Sequence, residues 1–153
     1  MSVLLDNNAF RKAVLGLGPV KKSTGTLAAT TVSLFTVAGG NVLLTGLYGL
    51  VTTSITVANS YKLQVNPTTG DTQDLCAATD IGTTDTLAGS ILSFALGTTT
   101  ASPKLISVGY GTAVLNSVIP IGQIESVSAG TDGVIQWCAT WVPLDDGATL
   151  VAA

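Results

Sequence analysis

The sequence predicts an all-β protein, built as a β-sandwich or jelly-roll-like barrel of about eight short strands with an N-terminal arm. Of its 153 residues, 47 are Thr, Val or Ile, whose branched side chains favour extended backbone. Seventeen glycines divide the chain into short segments, as in strands joined by tight turns. Hydrophobic residues make up 46% of the chain, which is enough for one core in a single domain of this length.

Residues 1–22 are predicted to form the arm, followed by a β domain of residues 23–153. Asp6 and the two asparagines after it can cap a short helix that continues to Leu15. A glycine-rich stretch from Gly16 then ends this helix, and an extended arm is the alternative. Because the arm carries many apolar side chains, we expect it to pack on a neighbouring molecule.

Strands and turns alternate through the β domain. The predicted strands cover residues 31–37, 42–47, 50–57, 61–65, 75–78, 90–96, 105–108, 118–127 and 134–142. The Gly39-Gly40 turn predicts a hairpin between the first two strands, and the loop 129–133 predicts another between the last two. Short strands at this spacing are typical of sandwiches and barrels.

The last predicted strand has the clearest alternation. One face carries Ile135, Trp137, Ala139 and Trp141, and the residues between them share the other face. We expect the two tryptophans to anchor the core. A pair of sugar-stacking tryptophans is the functional alternative.

The charge content excludes several functions. The net charge is −3, and six Lys and Arg residues in an acidic chain cannot form a stripe that neutralises nucleic-acid phosphates. The sequence contains no histidine, the usual general base and metal ligand. A surface rich in Thr and Ser is easily desolvated in a subunit interface. The composition therefore favours a structural or interaction protein, with no enzymatic activity, no cofactor and no nucleic-acid partner.

The cysteines and carboxylates give no strong site. Cys76 and Cys138 lie outside any Cys-x-x-Cys motif, so a zinc site is excluded and buried thiols are expected, with a disulfide as the alternative. The aspartates lie mainly in loops, where Asp ordinarily bonds the turn backbone, and Glu125 is the only glutamate. A structural cation held by loop aspartates stays open, and no metal ligand is assigned.

No segment predicts a membrane span or a secretion signal. The first residues lack a basic stretch and reach Asp6 too early for a signal peptide. The longest uncharged stretch, residues 23–61, is interrupted by Thr, Ser and Gly and holds no run of 18 apolar residues. We therefore expect synthesis in the cytoplasm and no membrane partner.

Several segments of the β domain resemble a known group of proteins. The two most distinctive are Asn-Pro-Thr-Thr-Gly at residues 66–70 and Trp-Val-Pro-Leu-Asp-Asp-Gly-Ala at residues 141–148. The other segments are residues 34–44, 47–53, 62–65, 74–76 and 133–137. Across most of residues 30–148, the chain is similar to small β-rich virion structural proteins of tailed bacteriophages.

The resemblance implies a virion component that is made in the bacterial host cytoplasm and located on the capsid surface. A capsid decoration (cement) protein fits best, a small all-β protein similar in habit to trimers that bind the major capsid protein lattice and stabilise the head. In that role the arm would reach the major capsid protein or a neighbouring copy through Phe10, Arg11, Lys12 and Leu15. The hydroxyl-rich strands would form the interface of a homotrimer.

A second function is compatible with the resemblance, namely a tail or baseplate-associated host-recognition component that binds carbohydrate or protein. Such a site would expose aromatic side chains, for which Tyr48, Tyr61, Tyr110 and Trp141 are the candidates. None of the resembling motifs is catalytic.

Overall fold

Two antiparallel sheets pack face to face in the computed structural model of the chain, which describes residues 12, 14, 16–96, 104–109 and 116–153. The all-β prediction is confirmed, and the fold is a β-sandwich of two separate sheets rather than a closed barrel. The described residues form twelve strands, more than the eight or nine predicted. Two of the additional strands are only two residues long, and Pro120 divides the predicted strand 118–127 in two.

Each sheet contains six strands. In chain order they are β1 (Leu17–Thr26), β2 (Thr31–Ala38), β3 (Val42–Thr53), β4 (Ser60–Pro67), β5 (Gln73–Asp74), β6 (Thr79–Asp80), β7 (Ile91–Leu96), β8 (Lys104–Val108), β9 (Ser117–Ile119), β10 (Gly122–Ser128), β11 (Val134–Pro143) and β12 (Thr149–Ala152). Sheet A has the order β1-β11-β3-β7-β8, with β9 also beside β3. Sheet B has the order β12-β2-β10-β4-β5, with β6 also beside β4.

Both predicted hairpins are wrong. β2 and β3 lie in different sheets, and so do β10 and β11. The loops 39–41 and 129–133 therefore cross from sheet B to sheet A. An alternating pattern shows which side chains face the core, but it does not identify the strand that receives the backbone hydrogen bonds. A crossing and a hairpin are consequently indistinguishable at the level of local sequence.

Contacts from distant parts of the chain hold both crossings. Gly39 has a φ of 76°, and a side chain there would lie 2.2 Å from the carbonyl oxygen of Gly147. At the other crossing, the buried Oδ1 of Asn59 accepts hydrogen bonds from the amides of Ala129 and Gly130 at 3.0 and 2.9 Å. The crossings are therefore fixed by tertiary contacts rather than by the turn residues alone.

The core between the sheets is centred on two stacked aromatic rings. Trp137 of sheet A and Tyr61 of sheet B are fully buried, with ring centroids 6.2 Å apart and an interplanar angle of 7°. The indole Nε1–H of Trp137 donates a hydrogen bond of 2.8 Å to the Tyr61 hydroxyl. Trp141 is also buried, so both tryptophans anchor the core as predicted and neither is placed for sugar stacking.

The arm ends earlier than predicted. β1 begins at Leu17 and pairs with β11, with Leu17 opposite Trp141 and Lys21 opposite Cys138. Residues 17–22 therefore belong to sheet A and not to the arm. Lys21 and Lys22 are compatible with a solvated arm, but they lie in β1, which is an edge strand. Lysine is common on edge strands because its charge discourages pairing with a further strand.

Both cysteines are buried thiols that form no disulfide, as expected. The amide of Leu63 donates a hydrogen bond of 3.3 Å to the Cys76 sulfur. Cys138 lies opposite Tyr48 in the β11–β3 pair, and a hydrogen bond between their side chains is the main cause of the raised pKa of Tyr48. The two thiols therefore act as small buried side chains.

Candidate interaction surface

One end of the sandwich brings together four loops and the beginning of β1. The loops are residues 39–41, 68–72, 120–121 and 144–148. The Leu144 amide donates a hydrogen bond of 3.0 Å to the Asn41 carbonyl, and the Thr68 amide donates one of 2.9 Å to the Ile121 carbonyl. Leu17, the first residue of β1, lies opposite the end of β11. Since the chain enters the sandwich here, we call this region the arm end.

Exposed apolar side chains are concentrated at the arm end. Six of the ten large hydrophobic side chains that are exposed in the described residues lie here: Val14, Leu17, Val118, Ile121, Val142 and Leu144. Val142, Leu43 and Val118 occupy adjacent positions on β11, β3 and β9. We call Val118, Ile121, Val142 and Leu144 the apolar patch. Exposed apolar surface gathered in one place is typical of protein–protein interaction sites.

A cleft opens beside the patch, between the β4–β5 edge of sheet B and β9 of sheet A. Its volume is about 190 Å³, and Val118 belongs to both the cleft and the patch. The apolar lining consists of Val65, Pro67, Leu75, Val118, Ile119 and Pro120, and the polar lining consists of Asp71, Gln73 and Asp74. Because small-molecule pockets usually span about 300–1,000 Å³, this edge cleft suits a single side chain better than a cofactor.

The edge cleft is acidic. Asp74 forms an ion pair with Lys62 at 2.6 Å, whereas Asp71 has no hydrogen-bond or ion-pair partner among the residues that the structure describes. Over the whole chain, the N-terminal residues are likewise basic and the remaining residues acidic. Residues 1–22 hold four cations and one anion, a net charge of +3, and residues 23–153 hold two cations and eight anions, a net charge of −6.

Of the four predicted contact residues in the arm, the structure describes Lys12. Its side chain is exposed, and its carbonyl accepts a hydrogen bond of 2.9 Å from the Gly16 amide, in a helical turn that includes Val14. Phe10, Arg11 and Leu15 lie outside the described residues. None of the helical structure in the described part of the chain has the length and apolar character needed to cross a bilayer.

The aromatic residues considered for host recognition are mostly internal. Tyr61 and Trp141 are buried, and burial raises the pKa of Tyr61 well above its ordinary value. Tyr48 is 41% exposed, and Tyr110 lies outside the described residues. Two of the four candidates therefore cannot stack on a ligand at the surface.

At the opposite end of the sandwich, loop carboxylates accept hydrogen bonds from backbone amides. Asp132 accepts hydrogen bonds from the Thr56 amide and hydroxyl, both at 2.8 Å, and from the Val57 amide at 3.2 Å, which lowers the pKa of Asp132. The Thr83 hydroxyl and several backbone amides similarly lower the pKa of Asp80. Carboxylates with lowered pKa values are suited to bracing loops rather than to donating protons.

Several polar side chains on the outer faces of the two sheets hydrogen-bond to one another. Glu125 accepts hydrogen bonds from the side-chain amides of Gln64 at 2.8 Å and Asn66 at 3.1 Å on sheet B. On sheet A, the hydroxyls of Thr45 and Thr140 lie 2.9 Å apart. Among the described residues, no group of three or more acidic or cysteine side chains could hold a metal ion. The arm end is therefore the better candidate for contact with a partner.

Neither the edge cleft nor the apolar patch is predicted from the sequence. The alternation predicts one strand over residues 118–127, although Pro120 lacks the amide that a continuous strand needs. The signal was the apolar pair Val118 and Ile121 on either side of that proline. In the structure, Val118 lies in β9 and Ile121 in the loop before β10, and both side chains are exposed at the arm end.

Comparison with known proteins finds no matching family model, no similar curated protein and no similar solved structure.

Proposed function

We propose that the chain is a bacteriophage virion structural protein without catalytic activity, namely a capsid decoration protein on the head surface. It binds the lattice of the major capsid protein, associates as a homotrimer and makes contact through the arm residues Phe10, Arg11, Lys12 and Leu15. The observation that carries the proposal is the concentration of exposed apolar side chains at the arm end, where the arm joins the sandwich. The resemblance in residues 30–148 supplies the virion context.

The energetics of the surface support an assembly role. Only 10% of the residues are charged, so few ions must be desolvated when the sandwich meets another protein. A protein that binds only the assembled lattice stabilises it by mass action, by about 2.7 kcal/mol per site at a free concentration 100 times the Kd. The function therefore needs binding surfaces and no reacting groups.

The position of the aromatic side chains favours decoration over host recognition. A carbohydrate site would present exposed rings, but Tyr61 and Trp141 lie in the core. The apolar patch is aliphatic, with no aromatic member, and aliphatic surface suits a protein partner better than a sugar.

Copy number in purified particles tests the proposal. A decoration protein should be present in numbers comparable with the major capsid protein, which gel densitometry measures in one lane. A tail or baseplate component would be present in far fewer copies. A low copy number would therefore refute the decoration role and favour the host-recognition alternative.

A deletion tests the role of the arm in the same particles. Removing residues 1–15 leaves β1 and its pairing with β11 complete, whereas removing residues 1–22 would damage sheet A. We expect the shortened protein to be lost from the particles. Leu87→Ser, which changes an exposed apolar residue away from the arm end, is the matched control and should be incorporated normally. Full occupancy by the shortened protein would contradict the proposed contact.

A further inference from the structure

Within one copy of the chain, the described part of the arm and the arm-end surface are both exposed. Val14, in the helical turn that precedes β1, is 63% exposed, and Val118 of the edge cleft is 61% exposed. Lys12 in the same turn is also exposed. The described part of the arm therefore does not cover the patch of its own chain, although Gly16 lies against the backbone of Trp141 at the edge of that surface.

The size and lining of the edge cleft match one apolar side chain. The cleft has a volume of about 190 Å³, and six of its nine lining residues are apolar. Phe10 is the only aromatic residue in the arm, and it lies four positions before Val14. Residues four apart share a face of a helix, so a helical arm presents both side chains to the same surface.

The charges around the cleft match the residues that follow Phe10. Arg11 and Lys12 are consecutive cations, and the cleft carries Asp71 and Asp74. Lys62 already neutralises Asp74, so Asp71 is the carboxylate left to pair with an incoming cation. Complementary charges at the rim of an apolar contact fix its register and speed association.

We infer that the edge cleft and the apolar patch of one copy bind the arm of a second copy, with Phe10 in the cleft and Arg11 or Lys12 beside Asp71. Because the arm joins the sandwich at the same end that holds the cleft, two copies that meet at their arm ends can exchange arms. Exchange of this kind closes as a reciprocal dimer or as a ring, a trimer included. The inference deepens the self-association part of the proposed function, and it can be tested without any particle.

Sedimentation velocity on the purified full-length chain measures the association over about 1–100 μM, a range that covers weak to moderate interfaces. We expect wild-type protein to associate and Phe10→Ala to weaken the Kd about tenfold or more, since one buried aromatic contact is lost. Asp71→Lys should weaken it about fivefold, as loss of one exposed ion pair would. Asp85→Lys makes the same charge change in an exposed loop away from the arm end and should have no effect.

Mixing two charge-reversed variants shows whether the contact is made between copies. Arg11→Glu/Lys12→Glu reverses the arm, and Asp71→Lys reverses the cleft, so each variant repels itself. In the mixed complex, the reversed arm meets the reversed cleft and the wild-type arm meets the wild-type cleft. Association should therefore return on mixing.

Three outcomes would overturn the inference. The first is a wild-type protein that stays monomeric over the whole concentration range, which would mean that the arm binds its own chain or the capsid lattice. The second is unchanged association of Phe10→Ala and Asp71→Lys. The third is failure of the mixture to associate better than its components. Asp71 and Asp85 lie outside the described core, and circular dichroism verifies that each variant is folded. Failure here leaves the particle tests unaffected.

Discussion

Replacing Tyr61 by phenylalanine should measure how much the hydrogen bond between Tyr61 and Trp137, which links the two sheets, contributes to the stability of the fold. Tyr61→Phe deletes the hydroxyl that accepts a hydrogen bond from the Trp137 indole at 2.8 Å. Phenylalanine keeps the ring, so the stacking over Trp137 and the packing of the core are retained. Both side chains are fully buried, and water cannot replace the lost acceptor. The substitution therefore leaves one buried N–H group unsatisfied without creating a large cavity.

The expected loss comes mainly from that group, because the Ser126 hydroxyl, which also hydrogen-bonds to Tyr61, keeps the Val32 carbonyl as a partner. A buried donor left without a partner costs about 1–3 kcal/mol, and we take about 2 kcal/mol as the central value. In a protein of this size, that loss lowers the Tm by about 4–8 °C. Urea unfolding followed by tryptophan fluorescence is a suitable assay, because both tryptophans lie in β11. The midpoint should move to lower urea without a change in the slope of the transition.

Tyr48→Phe is the matched control, since Tyr48 is 41% exposed and water can replace its lost hydrogen bond. It should change the free energy of unfolding by about 0.5 kcal/mol or less. If Tyr61→Phe also stays within that margin, the Tyr61 hydroxyl does not satisfy the Trp137 indole and the account of the core is wrong.

The same substitution has a consequence at alkaline pH. Burial raises the pKa of Tyr61 above the value of about 10 that it has in an unfolded chain, so the folded state keeps its proton longer. The stability due to this difference is present below pH 10 and decreases as the pH rises further. Wild-type protein should therefore lose more stability between pH 9 and pH 11 than Tyr61→Phe. Equal losses would contradict this assignment.

Three other substitutions test the loops. Gly39→Ala should cost about 1–3 kcal/mol in urea unfolding, because the new side chain meets a carbonyl oxygen at 2.2 Å, whereas Gly89→Ala has open space and should cost only the strain of its positive φ. Asn59→Ala should cost about 2–4 kcal/mol by calorimetry, since the amides of residues 129–130 lose a buried acceptor. The pKa of Asp132 is lowered, so its contribution is present above pH 4 and decreases in acid. Asp132→Asn should therefore flatten the loss of stability below pH 4, and an unchanged acid profile would contradict the bracing role.

Side-chain pattern predicted the inside of this protein better than its connections. Alternation in residues 134–142 placed Ile135, Trp137 and Trp141 in the core, where the structure has them. It did not identify their neighbours, because any strand can satisfy the backbone hydrogen bonds of another. The pairing of β11 with β1 and β3 is determined by how the two complete sheets pack, which local sequence does not show. Crossing loops such as 129–133 were therefore read as hairpins.

The arm end could be predicted only in part for a related reason. The low charge and the apolar arm indicated an assembly protein, and those properties depend on composition alone. The edge cleft depends on the contact between two sheets, which brings Val65 of β4 beside Val118 of β9. These positions are 53 residues apart in the sequence, and no local pattern relates them. The predicted contacts Phe10, Arg11 and Leu15 stay predictions, because they lie outside the described residues.

The two ends of the sandwich differ in how many polar groups without partners and how much apolar surface their loops expose. This difference indicates which end is the interaction surface. At the end that holds Asn59, Asp80 and Asp132, side-chain oxygens are occupied by loop amides and hydroxyls. At the arm end, Asp71 has no partner among the described residues and the apolar patch faces solvent. Side-chain oxygens that already accept hydrogen bonds gain little from a partner, whereas exposed apolar surface gains free energy from every contact that removes it from water. A partner is therefore expected to bind at the arm end, and substitutions there should alter association while leaving the unfolding free energy nearly unchanged.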